Sequence, residues 1–368
     1  MAASDPRTHR GGRAEPLRRR IPRQDSAVLG GEGRVGRALI CTAALLTVSL
    51  CAVWATTLTR TTPRSSAAEC SRWRAAPAHE CAGCHAKIYA EWRSSLHALA
   101  FDDPIFRAEY EPAPSRFCSN CHADAEALFG HDAHDGVSCS SCHRPDDTAP
   151  RQVGVEGCGR CHQFHYAPDE TIYDPADALQ DTVHEWRRSD AARMGVTCVD
   201  CHMPLVGDGA GRHHNHRVAG AADEWLVAQA LDVSTSAHRQ GERIEVTMRV
   251  EAADVGHRVP TGDVFRRLRV AAWTDGGDPV ERWLGREFAA VTASTGEGFR
   301  LRPVLDSRVP APGDGEAVEL RLSVPDAEGP LHWSVELHRM PVATASQRNF
   351  DPETVKVTAA YGSIELER

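Results

Sequence analysis

The alternation of apolar and polar positions divides the chain into unlike stretches. An Arg-rich segment, residues 1–37, leads into an uncharged apolar run, residues 38–57. That run has about the 20-residue length at which a helix crosses a bilayer. Residues 58–76 read as a polar linker. Between 77 and 225 long apolar runs are scarce and turn residues frequent, so short helices are predicted at 86–99 and 182–195 without an ordinary core. From 226 to 368 the pattern changes to period-two alternation at 243–250, 267–273, 317–324, 331–337 and 354–360, punctuated by Gly, Pro and Asp. Short alternating segments between turns predict a C-terminal antiparallel β-sandwich.

The basic flank orients the apolar run with its N-terminal side in the cytoplasm and the rest exported. This predicts a single-pass bacterial inner-membrane protein with most of the chain periplasmic. A cleaved signal peptide is the rival reading, since Ser65, Ser66, Ala67 and Ala68 offer small residues for cleavage. Both readings export residues 77–368. Cys41 and Cys51 fall within the run and read as small apolar residues.

The formal net charge of -9 argues against nucleic-acid binding. The 13 Cys and 19 His change the picture more. Ten of those cysteines form five Cys-x-x-Cys-His segments: Cys81/Cys84/His85, Cys118/Cys121/His122, Cys139/Cys142/His143, Cys158/Cys161/His162 and Cys198/Cys201/His202. Two thiols three residues apart can form thioethers to the two vinyl groups of one porphyrin, and the adjacent His then supplies the proximal iron ligand. Zinc sites also use Cys-x-x-Cys pairs, and an exported chain can hold disulfides. Neither explains a His directly after every second Cys. The expected cofactors are therefore five covalently bound haem c groups, and Cys70 remains an unassigned thiol.

Second axial ligands are drawn mainly from histidine, because Met194 and Met203 are the methionines in this region. His79, His97, His131, His134, His165, His184, His213, His214, His216 and His257 are available, more than five irons need. The motifs are close in sequence: 21 positions separate Cys118 from Cys139, and 19 separate Cys139 from Cys158. Such gaps cannot build independent domains, so the haems are expected to share one shell in near contact. A weak repeat relates residues 89–98 (YAEWRSSLHA) to 183–192 (VHEWRRSDAA). It reads either as two similar packing helices or as a haem-cradling duplication with Trp92 and Trp186 over haem faces.

Residues 77–275 resemble the multihaem cytochromes related to hydroxylamine oxidoreductase and the pentahaem nitrite reductases. The resemblance rests on Gly195–Pro204 with the His213–Gly220 cluster, on Glu91–His97, on Gly136–His143 with His131 and His134, and on the turn Gly256–Gly262. It implies His97, His134, His216 and His257 as distal ligands, with His131 as a weaker choice. It also implies an appended β-domain that returns His257 to a haem. The Cys-x-x-Cys-Lys haem of the nitrite reductases is missing here, and none of the five Tyr can be assigned as a crosslinked tyrosine. The leading expectation is therefore an electron carrier with mostly bis-His haems rather than an enzyme. Alternatives are an oxidoreductase with one open haem acting on a small nitrogen or sulfur compound, and a quinol dehydrogenase. Redox proteins or quinol are the expected partners.

Overall fold

The computed structural model describes residues 77–123, 133–143, 154–165, 178–292 and 299–366. The basic tail, the apolar run at 38–57, the linker with Cys70, and His131 lie outside them. Among the described residues no helix is long and apolar enough to cross a membrane.

The first part is a string of short helices. α1 (Ala78–Arg93) is followed by α2 (Pro104–Tyr110), α3 (Arg116–His122), α4 (Cys139–Cys142) and α5 (Val155–His162). A small antiparallel pair, β1 (Gln163–His165) and β2 (Ala178–Asp181), precedes α6 (Thr182–Arg188), α7 (Asp190–Arg193) and α8 (Cys198–His202). Side-chain caps set several starts. Asp103 accepts from the Ile105 N–H and Ser115 from the Phe117 N–H, and Thr197 with Asp200 forms a capping box. The predicted helix at 182–195 is divided at Ser189, whose extended backbone starts a new turn. The predicted helix at 86–99 begins earlier, at Ala78, and ends at Arg93.

A two-residue hairpin, β3 (Leu205–Val206) with β4 (His213–His214), and α9 (Glu224–Gln229) lead into the β region. α9 crosses the boundary drawn at 225/226 from sequence. Its Asp223 cap accepts from Leu226 and its Val227 is buried among the sheets. One sheet has the order β11 (Val318–Pro325), β6 (Arg243–Ala252), β5 (Leu231–Gln240). The other runs β13 (Lys356–Ile364), β12 (Leu331–His338), β7 (Arg267–Thr274), β8 (Val280–Leu284). All pairings are antiparallel. β9 (Arg286–Thr292) and β10 (Phe299–Asp306) form a separate hairpin, and α10 (Val342–Gln347) follows β12.

Period-two alternation decides which face is buried. On β6, Ile244, Val246, Met248 and Val250 are buried while Glu245, Thr247 and Arg249 are not. They meet Leu268, Val270 and Ala272 of β7 and Leu331, Trp333 and Val335 of β12 in one apolar cluster. The five strands expected from alternation are all present. β5, β8, β9 and β10 were not anticipated. β5 (LDVSTSAHRQ) is an edge strand whose outward face is polar, and Pro303 with a register shift interrupts the β10 pattern. The described residues fall in one compact unit.

Because Met248 has no exposed surface, Met248→Ala should lower unfolding stability by about 2–5 kcal/mol. Denaturant titration checks this. A loss below about 1 kcal/mol would show that the two-sheet core repacks.

Candidate cofactor site

Each Cys-x-x-Cys-His segment lies on a short helix: α1, α3, α4 with its following residue His143, α5 and α8. Helical spacing puts residues three and four apart on one face, so both thiols and the imidazole share a side. In α1 the helix kinks at His85 (φ -117°, ψ 41°). None of the ten motif cysteines forms a disulfide. Cys81 lies beside Cys139, Cys121 beside Cys161 and Cys158 beside Cys198, so the motifs are neighbours in space.

Three motif imidazoles each face a second imidazole. Ring centroids lie 6.2 Å apart for His97 and His162, 6.0 Å for His143 and His216, and 6.1 Å for His202 and His257. The rings are inclined by 42°, 27° and 13° respectively. Backbone carbonyls take several Nδ1 atoms: Ala219 O at 2.6 Å from His202, His214 O at 2.7 Å from His216, and Arg258 O at 3.0 Å from His257. His122 makes the same bond to Ala100 O at 2.9 Å. With Nδ1–H donated, Nε2 is the free lone pair, the arrangement usual for a metal-bound His. Desolvation first, then neighbouring imidazoles and Arg266, brings His162 down to about 3. Desolvation and His202 bring His257 to about 4, and burial lowers His97. These rings are neutral at physiological pH, as ligands must be.

The repeat has a physical role that extends beyond its helices. Trp92 Nε1 donates to Val137 O at 2.9 Å, and Trp186 Nε1 donates to Val196 O at 2.8 Å. Each valine stands two residues before the first Cys of a motif. Glu91 Oε2 accepts the His216 N–H at 3.0 Å, and Glu185 Oε2 accepts the Arg258 N–H at 3.2 Å. Each Glu-Trp-Arg helix thus grips a motif with its indole and, with its carboxylate, the loop carrying the imidazole that faces that motif. The indoles expected over haem faces spend their N–H groups on these carbonyls. Close packing completes the clamp: a Cβ on Gly256 would meet Trp186 Cδ1 at 3.0 Å. Gly136, at φ +58°, lies so near His97 O that a Cβ there would stand 2.4 Å away. Sequence reading missed Glu91 and Glu185 as site residues, although the repeated Glu-Trp-Arg carried the signal.

Other expected ligands stand elsewhere. His134 directs Nδ1 to Asp102 Oδ1 at 2.6 Å and lies edge-on to Phe101, neither a motif residue. His213 uses both ring nitrogens, on Gly211 O and Glu91, and His184 pairs with Asp181. Desolvation raises the Glu91 carboxyl, but the bonds from His216 and His213 outweigh it and hold the group below its ordinary range. Among the described residues neither His85 nor His122 faces a second imidazole, and Phe106 stacks on His122 at 3.9 Å. No group of three or more His, Cys, Asp or Glu among the described residues could hold a metal ion, whereas zinc takes three or four protein ligands.

Behind His257 lies a buried ionic network. Glu185 is fully buried and 2.7 Å from Arg308 Nη2, and Arg308 also forks onto Asp306 at 2.8 and 2.7 Å. Desolvation lowers the Arg308 guanidinium, but Asp306 and Glu185 more than offset this and raise it.

Residues 111–215 match the Class III cytochrome C family. The fold is similar to that of a penta-heme cytochrome c552 from Thermochromatium tepidum, with a TM-score of 0.59 and 18% identity. That likeness covers 79% of this chain and 99% of the other. No curated protein matches the chain. The fold is thus that of a multihaem cytochrome joined to an antiparallel β region. The family match supports covalently bound haem c and electron transfer as the general class. The finer kinship with hydroxylamine oxidoreductase still rests on the motifs that suggested it.

Arg308→Met should cost about 3–5 kcal/mol, because it leaves the buried Glu185 carboxylate without its partner. Denaturant unfolding reads the loss, and the double variant Glu185→Gln/Arg308→Met should recover part of it.

Proposed function

We propose that this chain is a membrane-anchored periplasmic cytochrome that carries five covalent haems and passes electrons along a row of mostly bis-His irons. The carrying observation is the set of three imidazole pairs at 6.0–6.2 Å. Two metal–nitrogen bonds of about 2 Å, one on each side, put the centres of two such rings about 6 Å apart. Three separate pairs meet that spacing, each with one motif histidine. The donor set fits haem iron, which asks the protein for two axial ligands, better than zinc, which asks for more.

In this reading His162, His143 and His202 are proximal ligands, and His97, His216 and His257 are distal. His85 and His122 are the other two proximal ligands. The thioether cysteines are Cys81, Cys84, Cys118, Cys121, Cys139, Cys142, Cys158, Cys161, Cys198 and Cys201. Haem supplies one-electron redox chemistry when bound. The chain orients the imidazoles, accepts the Nδ1–H of His122, His202, His216 and His257 at backbone carbonyls and packs the motifs against one another. Bis-His rather than Met ligation favours lower potentials. Redox proteins or quinol are the proposed partners, and the apolar run at 38–57 is the proposed anchor.

A second reading has its own observation. The described residues pair no second imidazole with His85 or His122, so one of those irons could keep an open coordination position for a small nitrogen or sulfur compound. Mass spectrometry of matured protein should show five added haems; zinc or disulfide masses would sink the proposal. Electron paramagnetic resonance of the oxidised protein separates the two readings, since wholly low-spin signals favour the carrier and a high-spin signal the open site. His257→Ala should convert one low-spin haem to high-spin without loss of covalent haem. An unchanged spectrum would remove His257 from the ligands.

The anchor is tested separately. Haem-bearing protein should stay with membranes after carbonate extraction, whereas a soluble form beginning near Ala67 would show a cleaved signal.

A further inference from the structure

Where β2 meets the β region, Arg266, Arg267, Arg286 and Arg308 line one small cavity, and Asp263 is the carboxylate among its lining residues. The four cations are not equally matched. Arg308 is neutralised by Asp306 and Glu185. Arg267 is bonded to the carbonyls of Val264 and Arg266. Arg286 is only 8% exposed and gives its two terminal nitrogens to the carbonyls of Leu179 and Ala178, while its buried Nε has no hydrogen-bond partner among the described residues. Among the described residues the Arg266 guanidinium makes one hydrogen bond, to Thr261 O at 2.9 Å. Carbonyl contacts leave the positive charge of Arg266, Arg267 and Arg286 in place, and desolvation lowers all three; Arg286 also lies over the Phe288 ring at 4.9 Å, and Arg266 and Arg286 are the more deeply buried. Buried charges are normally paired, and the guanidinium fork suits a carboxylate or oxoanion better than a lone carbonyl.

The cavity adjoins an imidazole pair. Arg286 holds the carbonyls of Ala178 and Leu179, and the side-chain amide of the next residue, Gln180, is 2.8 Å from His162 Nδ1. Gln180 also donates to Thr182, and Thr182 is hydrogen-bonded to Thr261, whose carbonyl Arg266 takes. The charge of Arg266 acts on both His162 and His257.

We propose that this cavity is an anion site in which Arg266 and Arg286 hold a carboxylate or a small oxoanion. Two sources share that chemistry: a propionate of the haem between His97 and His162, or a free inorganic oxoanion. The first rests on the haem reading of that pair. A cation beside such a propionate would favour the reduced haem and raise its potential.

The test uses the full-length holoprotein, wild type and with Arg266→Gln, Arg286→Gln or Arg286→Lys, each first checked for haem number by mass. Resonance Raman reads the propionate bending modes, a spectroelectrochemical titration reads the potentials, and calorimetry with sodium sulfate and sodium nitrite reads anion uptake. A propionate partner predicts that both Gln variants shift one bending mode and lower one potential, while wild type takes up neither anion. Arg286→Lys should keep most of the potential but not the bending mode, since it retains charge without the fork. A free oxoanion predicts saturable uptake by wild type, weakened at least tenfold in the Gln variants, with the bending modes unchanged. Fully loaded variants that change none of these overturn the proposal. Wild-type protein without haem at His162 would instead defeat the haem reading, which the mass count reports separately.

Discussion

Three pairs of imidazoles are held about 6 Å apart, ring to ring, by segments distant in sequence, and much of the architecture around the motifs serves to keep that requirement. His97 and His162 are separated by 65 positions, His143 and His216 by 73, and His202 and His257 by 55. Loops alone would leave such pairs loosely defined, because fixing a flexible segment costs about 1–2 kcal/mol per residue in backbone entropy. The Glu-Trp-Arg helices meet the requirement in two places. Trp92 and Glu91 fix the Cys139 motif against the His216 loop, and Trp186 and Glu185 fix the Cys198 motif against the His257 loop. The repeat is better understood as a clamp than as a pair of similar packing helices.

The two clamps differ in what backs the carboxylate. Glu91 is partly exposed and meets His213, a titratable partner on the same loop as His216. Glu185 is fully buried and meets Arg308, held in turn by Asp306. The imidazole that faces His202 in the second clamp, His257, comes from the β region, so its anchor must resist relative movement of two packed parts, and a paired buried charge is costly to separate. The first repeat also carries His97 where the second has Ala191. Ala191 instead lies 3.1 Å from where a Cβ on Gly256 would stand, making room for the His257 turn.

Much of this was legible in the sequence, for reasons that particular residues make plain. Alternation over 243–250 and 267–273 announced two central strands because their buried faces are uniformly apolar. β5 and the β9–β10 hairpin were illegible because edge position and a proline remove the period-two contrast. The Cys-x-x-Cys-His segments were legible because covalent attachment needs a fixed local spacing. His97, His216 and His257 were suggested by resemblance, and each stands opposite a motif imidazole, whereas His134 stands beside Asp102. Glu91, Glu185 and the arginine cavity were not legible, since their meaning lies in partners 73 to 125 positions away. No local pattern encodes such distances.

The distribution of the core adds a final step. Among the described residues apolar burial is concentrated between the two sheets, while the motif region holds a small cluster around Ala78, Trp92 and Ala98. A region with so little apolar burial gains little from the hydrophobic effect. Its order must come from other sources: capped one-turn helices, the two clamps, and docking on the β region through Arg339 to Asp103, Arg348 to Glu109 and Arg286 to the carbonyls of β2. Large cofactors tethered through the motif cysteines would fill the same need, because burial of their apolar faces and two-sided imidazole ligation occur only in the folded arrangement. The β region then acts as a scaffold: its two sheets share one apolar core, and it presents His257 and the arginine cavity to a region that buries far less apolar surface among the described residues.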